Sequence, residues 1–149
     1  MSKVTETVPA ANRPSEQFSN ALALRQDPHA LADLLHNQLD VNFYDDLALF
    51  MGLSTKKLLS LLGFPPAVQR RWKKVQQLTI SESDYAFRQA LVIHDALGLF
   101  EGNTVATLDW LTKPNIALGK VTPVSLLATF VGMSIVESLI WKIENGVYQ

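Results

Sequence analysis

A chain of 149 residues, 48% of them hydrophobic, can bury one modest core or two small ones, and seven glycines and seven prolines are ordinary for globular sequence. The absence of cysteine excludes disulfides, thiolate metal sites and cysteine nucleophiles together. The net charge of −1 is unevenly spread: residues 1–40 carry −2, residues 41–80 carry +4 and residues 81–149 carry −3. The middle is therefore a positive island, suited locally to phosphate, and the alternative reading of the same charges is a solvated helix face. No apolar run approaches the roughly 18 residues of a membrane helix, and no charged-then-apolar leader pattern opens the chain, so the expectation is a soluble cytoplasmic protein.

In chain order, residues 1–14 have no hydrophobic period and are expected to form a flexible tail. Ser15 can cap a helix carrying Phe18, Leu22 and Arg25. Asp27-Pro28 starts a second helix bearing Leu31, Leu34 and Leu35, since proline's missing N–H is no loss in a first turn. Helices follow at 44–51, ending at Gly52, and from Ser54 to Leu62, ending at Gly63. A longer one is predicted from Ser81, with "SESD" as a capping box closed by Asp84, through Phe87, Ala90, Leu91 and His94 to about Leu99. Further starts are offered by Asn103 or Thr104, by Thr122-Pro123, and by Ser134 with Glu137 three residues on. Stops are offered by Pro114, Gly132 and Asn145-Gly146. Between Pro114 and Pro123, "PNIALGKVTP" reads as a shaped connector in which Ile116, Ala117 and Leu118 fold back as an apolar staple. No alternating strand pairs occur, and the expected fold is all-α.

Within "DDLALFMGLSTKKLLSLLGFPPAVQRRWKKV" the order of features predicts a helix-turn-helix. A helix with Leu58, Leu59 and Leu62 leads to a turn at Gly63, Phe64 is an apolar plug, and a second helix bears Arg70, Arg71, Lys73 and Lys74. With Lys56 and Lys57 these side chains are the candidate DNA contacts, through phosphates or guanine edges. The fit is imperfect, because Pro65-Pro66 stands where small polar residues usually touch the groove and Val68 falls one position early. A basic helix packed on the core is the competing reading. In the last helix Ile135, Val136, Leu139, Ile140 and Ile143 share a face expected to be core. Trp141 projects elsewhere between Glu137 and Glu144, either as a partner anchor or packed on the N-terminal helices. The closing "ENGVYQ" either enters a neighbour's cleft or frays.

The stretch "WLTKPNIALGKVTPVSLLATFVGMSIVESLIWKIENGVY" resembles the C-terminal toxin-binding domain of the MbcA/ParS/Xre antitoxins. The likeness is carried by Trp110, Leu111, Pro114, Asn115, Gly119, Thr122, Pro123, Gly132, Glu144, Gly146 and Tyr148 among others. Upstream, "SESDYAFRQALVIHDALGLFEGN" is similar to the family's linking helix, and residues 44–80 to its Xre-type helix-turn-helix. Lys120, Tyr85 and Lys142 depart from the family's usual glycine, arginine and arginine. The resemblance implies a helical region at 15–80, a linking helix at 81–102 and a toxin-binding domain at 103–149. It further implies a type II antitoxin that occludes the NAD cleft of a RES-type toxin encoded nearby, and a complex that binds its own operator DNA. The toxin-binding residues are expected to be Lys120, Trp141, Glu144, Asn145, Val147 and Tyr148, and a homodimer within a larger toxin–antitoxin complex is expected. The alternatives are a dimeric helix-turn-helix regulator without a toxin and a helical adaptor without DNA.

Catalytic signatures are sparse. His29, His36 and His94 make no metal-binding spacing. Glu82 and Asp84 read better as first-turn acids favoured by the helix dipole than as an acid–base pair. Gly98 and Gly102 belong to no phosphate-binding loop. Neither an enzyme nor a cofactor or metal is expected.

Overall fold

A computed structural model describes residues 15–147; the expected tail at 1–14 lies outside them, as does Tyr148. Eight α-helices follow one another: α1 Glu16–Ala23, α2 Pro28–His36, α3 Asn42–Phe50, α4 Thr55–Leu61, α5 Pro66–Val75, α6 Ile80–Leu99, α7 Thr104–Thr112 and α8 Phe130–Glu144. Short 3-10 turns lie at Leu24–Gln26, Ile116–Leu118 and Pro123–Ala128. The protein is all-α, and among the described residues β pairing is confined to two isolated bridges, Asp40 with Gln77 and Asn115 with Val121.

Most helix starts follow from local chemistry. Ser15 accepts from the Phe18 N–H, Asp27 from Ala30 with Pro28 in the first turn, Ser54 from Lys57, and Asn103 from Ala106. Four starts differ from expectation: α3 begins at Asn42 rather than 44, without a side-chain cap, Thr122-Pro123 opens only the Pro123–Ala128 3-10 turn, and α6 and α8 are displaced. Helix α6 begins at Ile80, capped by Thr79 and Glu82 in a reciprocal box, so Ser81 and Asp84 are not its box. The cause is tertiary: Leu78 is fully buried and donates to the Leu39 carbonyl at 2.9 Å, which places the turn earlier. Helix α8 begins at Phe130, with Thr129 accepting from the Gly132 N–H at 2.9 Å, so Ser134 is interior and Gly132 is not a stop. Gly132 is instead a close-approach residue, since a Cβ there would lie 1.9 Å from the Leu126 carbonyl oxygen.

Helix α6 is the axis on which α1, α2, α3, α7 and α8 all pack. Buried apolar side chains form a single cluster from Phe18 to Ile140, each such burial being worth about 1.5–3 kcal/mol. An aromatic series joins the parts: Trp72 stacks on Tyr44 with ring centroids 5.3 Å apart, Phe64 meets both edge-on, Tyr85 meets Phe64, and Phe130 meets Tyr85. Phe64 thus serves as the apolar plug, in keeping with its place in the sequence. The Tyr44 hydroxyl donates to Gln89 Oε1 at 2.7 Å and Gln89 Nε2 donates to the Leu127 carbonyl at 2.9 Å, a buried relay from α3 through α6 to the turn before α8. Replacing Gln89 by leucine orphans the Tyr44 hydroxyl and is expected to cost about 1–3 kcal/mol in urea unfolding. Adding Tyr44→Phe should recover part of that loss, whereas simple additivity would remove the coupling.

Helices α3 and α4 pack on each other across the four-residue connection Met51–Ser54, with Gly52 in the left-handed region at φ +71°. Helices α4 and α5 are joined by the turn at Gly63, where the Phe64 N–H donates to the Leu59 carbonyl and Gln69 Nε2 donates to the Phe64 carbonyl, both at 3.1 Å. Helix α5 is held by Trp72, which forms a three-ring cluster with Tyr44 and Phe64. The predicted order of helix, turn at Gly63 and second helix is present as α4 and α5, and α5 packs on the core through Trp72 and the half-buried Val68.

Candidate functional site

Two surfaces stand out, a basic cleft and the outward faces of α8. The cleft, of about 540 Å³, opens between α3, α4 and α5. Lys56 and Lys73 line it with Asn42, Thr55, Gln69, Gln76 and one carboxylate, Asp45, which accepts from the Thr55 hydroxyl, over a floor that includes Tyr44 and Trp72. Lys56, Lys57, Arg70, Lys73 and Lys74 are all exposed, so the fold gathers two of these cations at one opening and leaves the others on the same two helices.

Arg71 is placed differently, since its guanidinium pairs with the Glu82 carboxylate at the start of α6. Burial works to raise the Glu82 pKa, but hydrogen bonds from the Arg71 side chain and the Thr79 backbone N–H outweigh it and hold the carboxyl below its ordinary 4.5. The buried Trp72 indole N–H lies near enough to help hold Glu82 ionised, although it is not in hydrogen-bond geometry. Arg71 thereby joins α5 to the α6 cap.

Helix α8 presents three faces. Met133, Val136 and Ile140 are buried. On the second face Trp141 is 58% exposed and, with Glu137 and Glu144, borders a cleft of about 640 Å³ whose far wall is Arg25 and Asp95. Arg25 donates twice to Asp95, both at 2.6 Å, a bidentate pair that raises the Arg25 pKa and fixes the 3-10 turn after α1 against α6. The third face corrects the expected core stripe. Val136 and Ile140 are core, but Ile135 is 45% exposed and Leu139 and Ile143 are only half-buried. On a helix turning 100° per residue the five positions share one broad arc, and only its Val136–Ile140 edge meets the core, because among the described residues no other helix covers the Ile135 edge.

The connector before α8 is built by hydrogen bonds. The Asn115 N–H donates to the Val121 carbonyl at 3.0 Å, the Lys120 N–H donates to the Asn115 carbonyl at 2.8 Å, and Gly119 and Lys120 are both left-handed. Ile116 is 85% exposed and Ala117 is exposed, so of the expected staple only Leu118, half-buried in a turn packed on α8, folds back. Lys120 is exposed at the turn. At the end of α8 the Val147 N–H donates to the Lys142 carbonyl at 2.8 Å with Gly146 left-handed, a Schellman-type stop, and the Asn145 amide donates to the Trp141 carbonyl. The chain is thus turned back over the helix end as far as Val147. Lys120, Trp141, Glu144, Asn145 and Val147 are all accessible, although they do not share one face.

Among the described residues no group of histidine and carboxylate side chains could hold a metal ion, and no helix is long and apolar enough to cross a membrane. The described residues form a helical protein with an exposed C-terminal surface. Residues 96–146 match the family model described as the antitoxin Xre/MbcA/ParS C-terminal toxin-binding domain. The chain is 31% identical over 121 residues to an antitoxin Xre of Photorhabdus laumondii, covering 80% of this chain and 81% of the relative. It is 29% identical over 119 residues to an antitoxin Xre of Yersinia enterocolitica, covering 79% and 80%, and 33% identical over 79 residues to one of Pseudomonas putida, covering 53% and 49%. These matches define the class: an antitoxin of a toxin–antitoxin system. The chain belongs to the Xre/MbcA/ParS antitoxin family, and its matched segment begins at Ala96, in the last turn of α6.

Proposed function

We propose that this antitoxin neutralises a RES-type, NAD-consuming toxin encoded beside it by covering the toxin's active-site cleft with residues 103–149, and that it binds its operator through residues 15–80. The observation that carries the toxin-binding part is Trp141, exposed between two carboxylates on a helix whose core face lies elsewhere. A large aromatic in that position is the usual anchor of a protein interface. The toxin class rests on the family resemblance of the sequence. Inhibition on this reading is occlusion, and the antitoxin contributes no chemistry of its own. Expressing the adjacent reading frame alone and with this protein, while following growth and cellular NAD, tests it. Arrest with NAD loss, both reversed by the antitoxin, is expected. Arrest without NAD loss would change the toxin class, and no arrest would favour a DNA-binding regulator without a toxin.

For the operator, the exposed cations of α4 and α5 support phosphate contact, with α4 presented by the α3–α4 pair. Lys56→Ala, Lys57→Ala and Lys73→Ala together should weaken DNA binding and lower the slope of log affinity against log salt by about 0.9 for each phosphate that is no longer neutralised. Arg71→Ala should leave that slope nearly unchanged and lower stability instead, because Arg71 is engaged with Glu82. Fluorescence anisotropy on operator duplexes at several salt concentrations reads the first effect. An unchanged slope in the triple variant would remove these lysines from the DNA surface. A dimer on two half-sites suits this reading.

A further inference from the structure

Val131, Ile135, Leu139 and Ile143 recur every four residues, so they form one ridge along α8, turned away from both the buried face and the Trp141 face. With Ala117 and Leu118 from the connector and Val147 from the helix stop, this ridge lines a groove of about 620 Å³. Val131 is 73% exposed, and among the described residues none closes the groove. The remaining lining residues are Ser134, Ser138 and Lys142. No acidic residue lines it, and Lys142 has no ion-pair partner among the described residues.

This chemistry selects the occupant. A second copy docking its own groove here would bring no carboxylate to Lys142 and would bury two ammonium groups unpaired, which is strongly unfavourable. A partner segment with apolar side chains at helical spacing and carboxylates on its flank would fill the ridge and pair with Lys142 together. The two outward faces of α8 are also opposite in charge, the Trp141 face being acidic and this one basic. A single partner gripping both must therefore present a basic element to one and an acidic, amphipathic element to the other.

We infer that the groove formed by Val131, Ile135, Leu139, Ile143 and the 117–118 turn is a second docking surface for the toxin, and that it receives an acidic amphipathic segment. The inference rests on the reading of the C-terminal region as the toxin-binding surface. The test uses the full-length antitoxin and the purified product of the adjacent reading frame. Val131→Glu with Ile135→Glu alters exposed positions of the ridge, and circular dichroism checks that the helix content is kept. Toxin affinity is expected to fall by at least about 30-fold, with the mass of the free antitoxin in light scattering unchanged. Lys142→Glu should lower affinity by about tenfold, and Lys142→Arg should keep it. Unchanged affinity with a smaller antitoxin mass would overturn the inference in favour of a second copy. Unchanged affinity and mass would overturn it outright while leaving the toxin-binding reading intact. Failure of the unsubstituted antitoxin to bind at all would overturn both.

Discussion

Gly132→Ala is expected to unfold or severely loosen the C-terminal region. The added Cβ would lie 1.9 Å from the Leu126 carbonyl oxygen, 2.8 Å from its carbonyl carbon and 3.0 Å from its Cα, all of them backbone atoms that no rotamer change can move. Relief requires α8 to move away from the Pro123–Ala128 turn, which would open the packing of Val124, Leu127, Met133 and Val136. It would also disturb the carbonyl of Leu127 that accepts from Gln89. Overpacking in a yielding core typically costs 1–3 kcal/mol, and against backbone the loss should be at least about 3 kcal/mol. Thermal unfolding by circular dichroism measures it, and Gly98→Ala is the control. Gly98 lies in α6 with no heavy atom within 4 Å of its added Cβ, so that variant should be neutral or more stable by up to about 1 kcal/mol. A Gly132→Ala protein as stable as the Gly98→Ala one would show that α8 and the preceding turn slide freely.

Trp141→Ala separates binding from stability. The side chain is 58% exposed and the buried face of α8 is supplied by Met133, Val136 and Ile140, so the fold should change by less than about 0.5 kcal/mol. If Trp141 anchors the toxin, affinity for the adjacent-frame product should fall by at least about 30-fold, equivalent to about 2 kcal/mol, in isothermal titration calorimetry. Lowered stability with unchanged affinity would assign the tryptophan to the fold. Lowered affinity with unchanged stability, combined with the groove variants, would show whether the toxin reaches both faces of α8 or one.

The helical class and most helix starts are set by the sequence alone, because caps act through neighbouring residues. Ser15, Asp27, Ser54, Asn103 and Thr122 each bond a backbone N–H three positions ahead, and such signals are written in local order. The C-terminal motif is likewise legible in sequence, and its residues already point to the antitoxin family. The tertiary structure decides what depends on distant neighbours. Leu39 pins Leu78 and moves the start of α6 to Ile80. Leu126 turns Gly132 from an apparent stop into a site of backbone contact. Glu82 claims Arg71 from the basic set, and Trp72 stacks on Tyr44 to hold α5 against α3. The fold also divides the apolar residues of α8 between the core and an open groove, since hydrophobicity in sequence states only that a side chain avoids water, and the packing of other helices decides which of them finds a cover.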